Sequence, residues 1–175
     1  KITSALIDQA QYLTKHLEYY GDNTGNHIVN NGRGLYLFGA IFDIESFRTL
    51  GKILLRQELP NLVSPAGFVR EGSSHYQFLI TRWLLEVNYF CQKHGDVDFR
   101  QMIEQYCEKL EDKCRFFMPE NFHSGNYFYP LFGDISPDFT PEWLSDLLTS
   151  RLSCNQQLDH SGSRLPELSW NWIWK

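Results

Sequence analysis

A chain of 175 residues is long enough to bury one sizeable core, which sets the expectation of a single domain. Its net charge of −5, with no Lys/Arg block anywhere, argues against nucleic-acid binding, and no apolar run nears the roughly 20 residues of a membrane span. Aromatics make up 15% of the chain, with five Trp and nine Tyr, and they serve either a packed core or sugar-stacking faces.

Taken in order, Leu6, Ala10, Leu13, Leu17 and Tyr20 recur at three- and four-residue spacing and predict an amphipathic helix over 3–20. A polar loop from Gly21 to Gly25 follows, with Thr24 placed to cap the next element. The second helix runs from Asn26 to about Phe42 through Ile28, Leu35, Leu37, Phe38 and Ile41. Gly32, Gly34 and Gly39 inside it each cost around 1 kcal/mol against Ala, which points to close helix packing or to close approach of a ligand. A third helix over 44–59 carries Ile44, Phe47, Leu50, Ile53 and Leu54, and Pro60 and Pro65 are expected to stop it. Residues 67–74 read as extended, as half of a small hairpin.

The fourth helix, 74–94, is the most apolar, with Phe78, Leu79, Trp83, Leu84, Val87, Phe90 and Cys91. Lys93 and His94 suit its last turn and Gly95 its end. A fifth helix over 98–117 passes through Phe99, Met102, Ile103, Tyr106, Cys107 and Leu110. Beyond Pro119 the texture changes to a long aromatic-rich loop over 120–140, with one short strand at Tyr127–Phe132 and a short helix after Pro141. Residues 153–166 read as loop. The four cysteines, at 91, 107, 114 and 154, have no C-x-x-C spacing. Cys107 and Cys114 would stand about 10 Å apart on a helix, too far for a bridge, so buried free thiols are expected. The chain starts at Lys1 with no signal peptide and ends in an apolar Trp-rich run, which reads as a piece of a longer chain.

The densest chemistry lies in Gly67-Phe68-Val69-Arg70-Glu71-Gly72-Ser73-Ser74-His75-Tyr76-Gln77. A carboxylate, two hydroxyls, an imidazole and a phenol in one turn make a poor core and a good site wall. Ser73 or Ser74 can cap the helix that follows, with Tyr76 one turn inside it; ordinary half-buried residues at a helix start are the alternative. This Gly-x-x-x-Glu-x-Ser-x-x-Tyr pattern, formed by Gly67, Glu71, Ser73 and Tyr76, follows an earlier Asn26-His27 pair that opens a helix. Together the two segments resemble the heparinase II/III-like polysaccharide lyases. A third segment, Gly133-Asp134-Ile135-Ser136-Pro137 onward, resembles the form of that family found beside bacterial surface-polysaccharide genes. The pattern departs at Gln77, where the family has His.

The resemblance implies an all-α fold, with antiparallel helix pairs forming part of an incomplete α/α toroid and one helical domain over 1–175. It also implies a lyase that cleaves a uronic-acid polysaccharide by β-elimination. That reaction removes a weakly acidic proton beside the sugar carboxylate, so the site must offset the carboxylate charge, accept the proton and return one to the leaving oxygen. By resemblance Asn26 and His27 contact the carboxylate, and Tyr76 is the acid and a candidate base. A phenol near its reference pKa of ~10 is a poor base at neutral pH, so Tyr76 needs neighbouring cations or donors. Glu71, Arg70, His123 and Arg33 are further candidates for substrate binding, with Arg82 another local cation. Glu71 orients the site through hydrogen bonds in one reading, and in the other is a carboxylate in the first turn of its own helix, favouring the helix dipole. Asp134, in a turn that resembles the family's Gly-Asp turn, is read as a loop brace or as a substrate contact. His75 is expected to point elsewhere. No cluster has metal-ligand spacing and no cofactor is expected. The expected partners are an anionic polysaccharide or oligosaccharide and a C-terminal β-sandwich domain, which the family places after the toroid and supplies with a further histidine. A bacterial protein, periplasmic or cytoplasmic, is implied. Two other classes stay open: a catalytically silent carbohydrate-binding helical module, and a helical interaction scaffold.

Overall fold

The computed structural model describes residues 2–21, 24–118 and 130–136. Within them the protein is helical throughout: α1 (Ile2–Lys15), α2 (Asn26–Ile41), α3 (Glu45–Leu62), α4 (Ser74–His94) and α5 (Val97–Phe117). Short connections fold α2 back on α3 and α4 back on α5, giving two antiparallel hairpins joined where α2 packs on α4. Helix α1 lies against α2, and Ala10 is its buried residue. Strand structure among the described residues is limited to a single antiparallel bridge between Val63 and Val69.

Helices α2 to α5 bury most of the stripe that their apolar spacing marks, although Ile41 and Ile53 are exposed; in α1 only Ala10 is buried and Leu6 is exposed. Ile28, Leu35 and Tyr36 of α2, Leu55 and Leu59 of α3, Phe78, Ile80 and Leu84 of α4, and Ile103 and Leu110 of α5 are all excluded from solvent. Helix α4 has 14 of its 21 residues buried and packs on both α2 and α5. The hairpin between α2 and α3 closes because Gly32 and Gly51 let the backbones touch. A Cβ on Gly51 would stand 2.5 Å from Tyr36 N and 2.6 Å from Gly32 O. Packing is therefore the reason for Gly32, and also for Gly39, whose missing Cβ makes room for the Arg48 backbone; Gly34 faces open space.

Several boundaries differ from the sequence expectation. Helix α1 ends at Lys15, not Tyr20, so Tyr20 sits in a loop and is exposed. Thr24 does not cap α2. Its Oγ1 accepts from Tyr20 N–H at 2.9 Å, and Gly25 occupies the N-cap without a side-chain bond. Pro60 lies inside α3 and does not stop it. Proline removes one amide donor, yet Val63 N–H still bonds Leu59 O and the helix runs on to Leu62. Residues 130–132 are not strand. The rest of that predicted strand (127–129), the helix after Pro141, the 153–166 loop and Cys154 lie outside the described residues. Cys91, Cys107 and Cys114 are buried free thiols.

Helix α4 keeps its predicted ends. Ser73 Oγ accepts from Tyr76 N–H at 3.2 Å, and Gly95 closes the helix in the left-handed region at φ 70°, its N–H directed to Cys91 O and Gln92 O. Gln77, the departure from the family pattern, is buried in the interior. Its Oε1 accepts from Val69 N–H (2.9 Å) and its Nε2 donates to Gly67 O (3.1 Å) and Leu110 O (3.3 Å). This side chain ties the segment before Glu71 to α4 and α5.

Candidate active site

The N-termini of α2 and α4 meet, and the way they meet follows from their caps. Helix α2 starts at Asn26 behind a glycine that offers no side-chain oxygen, so its first amides need an acceptor from elsewhere. Glu71 supplies it: its Oε1 accepts from Asn26 N–H at 3.3 Å across a separation of 45 residues. Through this hydrogen bond the carboxylate favours the positive end of α2, and not the first turn of α4. Ser73 caps α4 and also donates from Oγ to Asp134 O at 2.5 Å. Beside it Ser74 holds Phe132 twice, accepting Phe132 N–H on Oγ (2.9 Å) and donating its own N–H to Phe132 O (3.2 Å). Gly133 fits this contact with φ 67° and no room for a Cβ, which would fall 2.8 Å from Gly72 O. The Gly133-Asp134 turn is therefore strapped to the start of α4.

The result is a pocket of about 320 Å³ lined by Glu18, Tyr20, Gly25, Asn26, His27, Glu71, Tyr76 and Asp134. It gathers Asn26, His27, Tyr76 and Glu71 in one place. Asn26 is buried, Tyr76 half-buried and His27 exposed, with His27 Nδ1 2.7 Å from Glu18 Oε2. Asp134 braces the loop through its backbone carbonyl, and the residue lines the pocket. Three carboxylic acids and one imidazole make up the ionisable lining apart from the two phenols.

The other candidates are not brought to this lining. Arg33 is committed to Glu86, with Nε at 2.9 Å and Nη2 at 2.7 Å from Glu86 Oε2, and to Asn30, and it stacks over Trp83. Arg70 is exposed and outside the lining, and Arg82 is buried beside Glu86. His123 lies outside the described residues. His75 is fully buried with its ring edge-on to Tyr76, 5.6 Å between centroids, and burial pushes its imidazole below the ordinary range. Gln77 does not line the pocket either, so the departure from the family's His falls on an interior brace.

Two lining residues were missed, Glu18 and Tyr20. Tyr20 closes the predicted helical stripe and Glu18 falls within the same predicted helix, whereas the chain leaves α1 before reaching either. The signal available was the polar Gly21–Gly25 run immediately after two adjacent tyrosines, which marks a loop that could begin earlier.

A second cleft of about 320 Å³, lined in part by Lys52, Arg56, Asp96 and Asp98, lies between α3 and the start of α5. Asp96 is internally engaged there, accepting from Lys52 Nζ (2.5 Å) and Tyr36 Oη (2.8 Å). Among the described residues no three His, Cys, Asp or Glu side chains are grouped to hold a metal ion, and no helix is long and apolar enough to cross a membrane.

No protein-family model and no curated protein matches the chain. Among solved structures it is similar to the crystal structure of heparan sulfate lyase HepC from Pedobacter heparinus, with a TM-score of 0.58 and 20% sequence identity. The match covers 86% of this chain and 23% of that one. At this identity the likeness is one of fold. The antiparallel helix pairs are consistent with part of an α/α toroid like the helical part of that lyase.

Proposed function

We propose that the intact protein is a polysaccharide lyase-like protein that cleaves a uronic-acid-containing polysaccharide by β-elimination, in a bacterial surface-polysaccharide setting. In this reading the helical chain supplies one wall of the site and a β-sandwich domain of the same protein supplies the other. The observation that carries it is the convergence of Asn26, His27 and Tyr76 on one pocket, from two helix N-termini far apart in sequence. The likeness in fold to a heparan sulfate lyase supports the same class.

The roles follow from the chemistry each group can do. The Asn26 amide donates to the sugar carboxylate, and His27 joins that contact in its imidazolium form, in which the nitrogen facing the substrate carries a proton to donate. Both lower the cost of the enolate-like charge that forms as the adjacent proton leaves. Tyr76, as phenolate, takes the proton from carbon and then, as phenol, gives that proton to the departing glycosidic oxygen. Glu71 holds the start of α2, and with it Asn26, in place. A second reading, the silent carbohydrate-binding module, is favoured by one observation: Glu18, Glu71 and Asp134 put three acidic groups around the place a uronate would occupy.

The test is Tyr76→Phe in the full-length protein, assayed on a panel of uronic-acid polysaccharides by ultraviolet absorbance of the new double bond, with thermal melts alongside. A general acid contributes about 100- to 10,000-fold, so a loss of that size is expected, with stability changed by about 1 kcal/mol. An active wild type whose Tyr76→Phe form keeps its rate removes Tyr76 as the acid. A wild type that binds oligosaccharides in the panel and cleaves none makes the silent module the correct reading.

A further inference from the structure

We propose that Glu18 is a positioning residue that sets the tautomer of His27, holding its proton on Nδ1 and leaving Nε2 as the bare nitrogen available to a pocket ligand. The geometry is direct. Glu18 Oε2 and His27 Nδ1 stand 2.7 Å apart, and both residues line the pocket that holds Tyr76 and Asn26. An ionised carboxylate only accepts hydrogen bonds, so at this distance the proton between the two atoms belongs to Nδ1. In neutral imidazole the other nitrogen is then an acceptor, and the partner of one ring nitrogen decides the role of the other.

Glu18 is held where this requires. Leu17 packs against the core, Tyr19 N–H bonds Leu17 O at 2.9 Å, and Tyr20 N–H bonds Thr24 Oγ1 at 2.9 Å. The chain leaving α1 is therefore a structured turn that presents Glu18 to the start of α2. Both side chains are substantially exposed, at 46% for Glu18 and 66% for His27, so the pair adds little to stability. Orientation is what it supplies. Its consequence for chemistry, which rests on the lyase reading, is that neutral His27 meets a substrate as a proton acceptor at Nε2. As imidazolium it meets the substrate as a donor, with Glu18 as counter-charge. A neutral Nε2–H donor is the state that Glu18 disfavours.

The experiment reads the tautomer and needs no turnover. Full-length protein labelled with ¹⁵N in histidine is examined by long-range ¹H–¹⁵N correlation at about pH 9, where an ordinary imidazole is neutral. His27 is assigned from the signal lost in His27→Gln. In the wild type the Nδ1 resonance should be that of a protonated ring nitrogen and Nε2 that of a bare one. In Glu18→Ala the two should exchange character, with an unchanged circular dichroism melt showing that the fold persists. A wild type carrying its proton on Nε2 overturns the proposal without any variant. So does a Glu18→Ala protein that keeps the proton on Nδ1. Failure of the lyase reading shows separately, as absence of cleavage with the tautomer pattern intact.

Discussion

Replacing Gln77 with alanine tests whether the loop that leads into the pocket is braced from the interior. The Gln77 side chain is 2% exposed and makes three hydrogen bonds to backbone, with Val69 N–H, Gly67 O and Leu110 O. The neighbouring ladder does not replace them, because the bonds around the Val63–Val69 bridge use Ser64 N, Phe68 O, Arg70 N and Leu62 O. Alanine therefore leaves the buried Val69 N–H without its acceptor. At about 1 kcal/mol net for each bond, the loss should be about 3 kcal/mol. For a chain of this size that lowers the melting temperature by roughly 6–12 °C. Histidine at this position has only two ring nitrogens in fixed geometry, so Gln77→His should fall between wild type and alanine. Urea unfolding followed by far-ultraviolet circular dichroism measures all three. A loss below about 1 kcal/mol for alanine, or a histidine variant as stable as wild type, would refute the brace.

Two further predictions concern packing and charge. Gly51→Ala should destabilise by about 1–3 kcal/mol, because its Cβ has only the Tyr36 and Gly32 backbones to move into, whereas Gly34→Ala, facing open space, should stabilise by up to about 1 kcal/mol; equal melts for the two would undo the account of the α2–α3 contact. For Asp96, burial pushes the carboxyl up, but hydrogen bonds from Lys52 and Tyr36 and the charges of Lys52 and Arg48 outweigh it and hold the pKa below the ordinary value. The unfolded chain then binds more protons than the folded one as pH drops below about 4, so this contribution is full above that range and is lost as pH falls through the folded value. Denaturant midpoints measured across the acid range should show that slope in wild type and a shallower one in Asp96→Asn.

Much of this protein was legible locally. Apolar residues at three- and four-residue spacing marked the five helices of the described residues, because a helix must bury one stripe wherever it packs. Ser73 and Gly95 bounded α4 because capping depends on atoms within a turn of the helix end. The pairing of Asn26-His27 with Glu71 and Tyr76 was legible only as a resemblance; no local rule brings together groups separated by 45 positions. That convergence was decided by the fold, as α2 and α4 packed with their N-termini side by side and Glu71 became the acceptor that Gly25 could not be. The same holds for Glu18 and Tyr20, whose place in the pocket depends on where α1 stops, and for Gln77, whose partners lie on two other segments. Arg33 shows the converse. It looked free to meet an anion, and tertiary packing gave its charge to Glu86, because a carboxylate at 2.7 Å in a half-buried setting competes better than a distant ligand. Local sequence carries torsional preference and apolar period; which polar groups then face one another is set by how the helices pack.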